Sequence, residues 1–107
     1  MVTIDEFFKI DLRVGRIVSA ENIPNKQKVL KVDVDIGSES RVVVVGAAEF
    51  YSPNELIGKI VIVCTNLEPR TIGNVTSNGM LLAVENANGK PIFLTIEEEV
   101  PLGSNIR

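Results

Sequence analysis

Residues 11–20 read DLRVGRIVSA, and the fold turns on how that run is read. Leu12 and Val14 alternate with their neighbours as a half-buried strand does, but Ile17 falls out of phase with them. The slip lies near Gly15, and a glycine inside a strand commonly marks a bend or a bulge. A long first strand bent in its middle is what a small barrel needs.

The segments on either side agree with that reading. Residues 21–28, ENIPNKQK, are polar and contain Pro24-Asn25, which predicts a loop. From Val29 to Ile36 the alternation is strict, with Leu30, Val32, Val34 and Ile36 on one face and Val29, Lys31, Asp33 and Asp35 on the other. A turn at residues 37–40 then leads through Arg41 into the apolar run Val42 to Val45. Towards the N-terminus, Thr3-Ile4-Asp5-Glu6 has the form of a capping box, which predicts a short helix through Phe8 packed on the body by Phe7 and Phe8.

Beyond Gly46, Ser52 and Glu55 stand three residues apart in a helical connection between strands, and Ile60 to Thr65 forms the fourth strand. The loop 66–78 leads to a fifth at Gly79 to Val84. A turn at Asn88-Gly89, a short strand from Pro91 to Thr95 and the acidic run Glu97 to Glu99 read as an extension wrapped over the barrel. The expected architecture is a single, mostly β domain over residues 1–107: an OB-fold core over about 11–85 and a C-terminal β extension over about 86–107. In an OB-fold the second and third strands, with the loops joining strands one to two and four to five, form the binding surface. Those loops are residues 21–28 and 66–78.

Aliphatic residues dominate a 45% hydrophobic fraction while aromatics are 5%, which favours strands and leaves little for stacking on bases. The net charge is −3, and it is spread evenly: residues 1–50 carry 7 Lys and Arg against 8 Asp and Glu, residues 51–107 carry 4 against 6. Binding to nucleic acid through a generally basic surface is thereby excluded, though a local patch is not. The N-terminal stretch lacks the features of a signal peptide and no apolar run is long enough for a membrane span, so a cytoplasmic protein without membrane association is expected. One cysteine, Cys64, allows no internal disulfide and suits a reducing compartment. The glycosylation signature at Asn74 is then a chance match.

With no histidine in the chain, a Ser-His-Asp triad, a Cys-His dyad and a His-ligated metal site are all excluded. Asp33 and Asp35 share a strand face, but Lys31 stands beside them and no other acid converges, so that face reads as solvated. Neither catalysis, a metal nor a cofactor is expected. The two loops offer more. Lys26, Lys28, Lys31, Arg41 and Arg70 can converge on one side of a barrel, with Asn25, Asn66, Thr76, Ser77 and Asn78 supplying neutral partners for phosphates, 2′-hydroxyls and base edges.

Four segments carry a family resemblance: DLRVGRI at 11–17, PNKQKVLKVDVDIG at 24–37, FYSPNELIGKIVIV at 50–63, and NLEPRTIGNVTSNGMLLA at 66–83. In this order they resemble the tRNA-binding domain family, above all the C-terminal domain or β subunit of methionyl-tRNA synthetase. That resemblance implies a usually dimeric OB-fold that binds tRNA by shape. It implies tRNA and a methionyl-tRNA synthetase catalytic subunit as partners, and a homodimer. Family contact positions are matched by Asn25, Lys28, Asn66, Arg70, Ser77 and Met80; Lys31, Arg41 and Asn78 join them from the reading of the loops and strand face. Glu68 and Thr71 stand where relatives commonly carry lysine, Val45 where serine is frequent, and Asn78 where glutamine is common. Some relatives are described as chaperones, and a protein-interaction module is the alternative.

Overall fold

The computed structural model describes residues 1–107. A first turn of helix, α1 (Ile4–Phe7), precedes four strands, β1 (Leu12–Ile23), β2 (Lys26–Asp35), β3 (Ser40–Val45) and β4 (Ile60–Cys64), with α2 (Pro53–Leu56) between the last two. There follow β5 (Arg70–Ile72), β6 (Val75–Ser77), β7 (Met80–Leu81), β8 (Ala83–Glu85) and β9 (Pro91–Phe93). The main sheet runs in the order β3-β2-β1-β4-β7. With α2 between the third and fourth strands, this is the expected OB-fold, mostly β. No helix is long and apolar enough to cross a membrane.

β1 serves two neighbours along its length, pairing with β4 through Leu12 to Arg16 and with β2 from Arg16 onward. The register shift falls at Val18, between Ile17 and Ser19, three residues beyond the glycine. Gly15 instead permits a close approach. A Cβ built on it would lie 2.6 Å from Cγ1 of the buried Val34, so its backbone is where β2 closes on β1. The core is aliphatic, with Ile17, Leu30, Val32, Val34, Val43, Leu56, Val61 and Val63 fully buried. No backbone ladder joins β3 to β7. The seam is bridged instead by Ser77 Oγ, which accepts the Val44 N–H at 2.9 Å, and by the Asn78 N–H donating to the Val42 carbonyl at 2.8 Å.

Four local expectations need correction. Residues 21–28 are not a loop: β1 and β2 continue as the arms of a hairpin closed by Pro24 and Asn25 alone. Proline fits the first central position of such a turn, and Asn25, at φ 65°, is one of the few non-glycine types that tolerates the left-handed region. The polarity that suggested a loop belongs to exposed arms, tied by the Glu21–Lys31 ion pair at 3.2 Å. Residues 66–78 hold a second hairpin, β5–β6, turning at Gly73-Asn74. The expected fifth strand is divided, because β7 pairs with β4 whereas β8 leaves the barrel to pair with β9. Finally, α1 has the capping box that Thr3 and Glu6 announce, yet it buries no residue. Phe7 and Phe8 meet edge to face at 5.6 Å and both stay exposed.

Past β9 the chain returns along the outer edge of β1. The Gly103 N–H donates to the Val14 carbonyl at 2.8 Å, the Val14 N–H to the Ser104 carbonyl at 3.0 Å and the Ile106 N–H to the Leu12 carbonyl at 2.9 Å.

Candidate nucleic-acid interface

Two hairpins that are far apart in sequence stand side by side. The β5–β6 arm lies over the tip of the β1–β2 hairpin, and a Cβ on Gly73 would be 3.5 Å from Lys26 Cε and 3.8 Å from Ile23 Cγ2. Between them is a groove of about 350 Å³ lined by Asn25, Lys26, Gln27, Lys28, Val29 and Ile72. Arg70 sits two residues before Ile72 on β5, hence on the same face of that strand. Lys26, Lys28 and Arg70 are exposed and form no ion pair. The groove therefore joins an apolar floor to unneutralised cations, the composition that holds a phosphate backbone with its sugars or bases beside it.

On the far side of the arm, a second groove of about 460 Å³ is lined by Glu39, Ser40, Arg41, Val42, Leu67, Pro69 and Asn78. Its one cation is engaged within the protein. Arg41 Nε pairs with Glu39, and Arg41 Nη1 donates to the carbonyls of Thr65, at 2.7 Å, and Asn78, at 3.2 Å.

Other residues singled out in the sequence are also committed to internal bonds. Asn66 accepts the Asp11 N–H at 2.9 Å and donates to the Lys9 carbonyl at 2.6 Å, fixing the segment before β1 to the start of the arm. Ser77 is buried at the barrel seam, and its hydroxyl donates on to the Gly79 carbonyl at 3.2 Å. Lys31 is held by Glu21. Met80 is exposed but lies in a third, apolar groove with Val45, Ala47 and Phe93, away from the lysines. Asn25 forms the turn that aims the β1–β2 hairpin. Thr71 faces Thr76 across the arm, its hydroxyl oxygen 3.5 Å from the partner's.

Asp11 ties the base of this region together. Its carboxylate accepts from Arg13 Nε at 2.7 Å and from the Thr65 hydroxyl, while its carbonyl accepts the Thr65 N–H at 2.9 Å. The Arg13 guanidinium first, and the Thr65 hydroxyl second, hold this carboxyl below its ordinary value, and the same contact raises Arg13. Lys26 was legible as a loop cation, but its place beside Gly73 depends on a hairpin that the sequence did not reveal.

An OB-fold whose two ligand hairpins meet over unpaired lysines has the build of a nucleic-acid-binding module. Residues 12–105 match the model of the tRNA binding domain family, and the chain belongs to that family. It is 47% identical over 107 residues to the methionine–tRNA ligase of Methanospirillum hungatei, covering 99% of this chain and 16% of that protein. It is 40% identical over 105 residues to the methionine–tRNA ligase of Thermotoga maritima, covering 98% and 16%. The chain thus spans about one sixth of the length of these relatives. Among solved structures it is similar to a MetRS-related protein from Pyrococcus horikoshii, with a TM-score of 0.92, 38% identity and coverage of 100% of this chain and 98% of that one. It is also similar to the CsaA chaperone protein of Picrophilus torridus, with a TM-score of 0.89, 28% identity and full coverage of both chains.

Proposed function

We propose that residues 1–107 act as one non-catalytic module that binds tRNA by shape and raises the tRNA affinity of a methionyl-tRNA synthetase in the cytoplasm. The observation that carries this reading is the groove between the two hairpins, lined by Lys26 and Lys28 with Arg70 on the adjoining strand β5, all three free of ion pairs in an otherwise acidic protein. Of the nine residues named from the sequence, Lys28 and Arg70 are the RNA contacts, with Lys26 added to them. Asn25 and Asn66 shape the site, Ser77 closes the barrel seam beside it, Lys31 lies at its edge, and Arg41, Asn78 and Met80 border neighbouring grooves. About three cationic contacts suit a module that binds modestly alone and gains from a tethered partner.

Filter binding of tRNA to the parent protein, Lys28→Ala and Arg70→Ala over a series of salt concentrations tests the site. Each change is expected to weaken binding and to flatten the log–log salt dependence by about 0.7. Unchanged affinity in both variants would refute the assignment. Similarity to a chaperone favours peptide binding as a second reading; unfolded peptide bound more tightly than tRNA at physiological salt would establish it in place of the first.

A homodimer accompanies this proposal. Ile4, Phe7, Phe8 and Ile10 present exposed apolar side chains on one short segment, and Phe8 and Ile10 share a groove with Leu12 and Ile106. A second copy of the same segment is the complementary cover for such a face.

A further inference from the structure

The β5–β6 arm leaves the barrel after Thr65 and rejoins it at Asn78, and one guanidinium nitrogen holds both feet. Arg41 Nη1 donates to the carbonyl of each, while Nε is steadied by Glu39. Both carbonyls lie where the chain passes between the barrel and a three-residue-per-strand hairpin that is too short to be stable alone. Hydrogen bonds from a charged donor are among the stronger ones a protein makes, and this donor is partly shielded from solvent.

We propose that Arg41 is a positioning residue for tRNA binding: it clasps the base of the arm and sets the aim of Arg70 without itself supplying the phosphate contact. This deepens the reading above and rests on it. Arg41 belongs to β3, so the clasp ties the aim of the arm to the wall of the barrel across the seam that lacks a backbone ladder. Asn66 secures the first foot from the other side through Lys9 and Asp11. The second foot has its own ties to β3, through the Asn78 N–H to the Val42 carbonyl and the Val44 N–H to the Ser77 hydroxyl, so a loss at Arg41 uncouples the two feet from each other.

The test combines hydrogen exchange with a double-mutant cycle. In the free protein, Arg41→Met is expected to speed amide exchange in residues 70–77 by about tenfold or more while the strands β1 and β4 keep their protection. Against tRNA, Arg41→Met is expected to weaken binding about fivefold or more in the parent, much less in an Arg70→Ala background, and by its full factor in a Lys28→Ala background. Equal losses in the parent and the Arg70→Ala background would mean that Arg41 contacts RNA by itself, and the clasp would be overturned. Unchanged exchange in the arm would overturn it without reference to RNA. If Arg70→Ala leaves affinity intact, the RNA reading of the arm fails, and exchange alone still decides the clasp. Should Arg41→Met not fold, Arg41→Lys takes its place, since a lysine keeps the charge but its single ammonium ends one bond short of Nη1 and lacks the planar fork that spans Glu39 and the two carbonyls.

Discussion

Ser77 Oγ accepts the backbone N–H of Val44 at 2.9 Å, so a side chain serves where a ladder between β3 and β6 would use a carbonyl. Ser77→Ala leaves that N–H unpaired at a buried seam. The expected cost is about 1–3 kcal/mol of stability, read by urea denaturation. Binding of tRNA well below the transition should change by less than about twofold. A large loss of affinity in a fully folded variant would show that the hydroxyl touches RNA instead.

Asp11 makes the acid limb of stability informative. Arg13 and then Thr65 depress its folded-state pKa below the ordinary 3.8. A depressed carboxyl stabilises the fold fully above its unfolded value, and that contribution is lost as pH falls through the folded value. As pH falls below about 4 the parent should therefore lose more stability than Asp11→Ala, which is already weaker at neutral pH. Parallel acid limbs in the two proteins would contradict this.

Two glycines offer a matched contrast. A Cβ at Gly15 meets Val34 Cγ1 at 2.6 Å and the Asp35 carbonyl at 3.2 Å, and Val34 is fully buried. Gly15→Ala should cost about 1–3 kcal/mol as an overpacked core does. At Gly46 nothing lies within 4 Å and φ is not positive, so Gly46→Ala should fall within about 0.5 kcal/mol of the parent. Thermal unfolding of both variants checks the pair, and a Gly15→Ala protein as stable as Gly46→Ala would show that β2 can yield.

The apolar N-terminal segment gives an assembly prediction. Light scattering at micromolar concentration should report twice the mass of one chain, and Phe8→Asp should halve it. A monomeric parent would remove the dimer.

What the sequence revealed is what short-range chemistry decides. The capping pair Thr3 and Glu6, the alternation of Val29 to Ile36 and the apolar β4 are local signals, and each element formed where they lay. The β5–β6 hairpin leaves no such signal, because its three-residue strands are too short for an alternation to register. Phe7 and Phe8 were expected inside because aromatics usually are; four helical residues with a satisfied cap can stand without them.

At the site, the residue types were visible but their commitments were not. Asn66 bonds to Asp11 across 55 positions, Arg41 to Asn78 across 37 and Ser77 to Val44 across 33. Polar residues in a loop look available until their distant partners are known. Lys28 and Arg70 remained free because no acid came near enough to pair with them.

The return of residues 103–106 along β1 bears on how the chain is made. Arg13 and Gly103 are 90 positions apart, so a ribosome delivers the first strand long before the segment that covers its outer edge. β4 can occupy the opposite edge once Cys64 has emerged. From then until Gly103 follows, Leu12 to Val14 carry unpaired N–H and carbonyl groups along one side, a template for strands of other nascent chains. Synthesis is thus the interval in which this barrel is most exposed to misassembly.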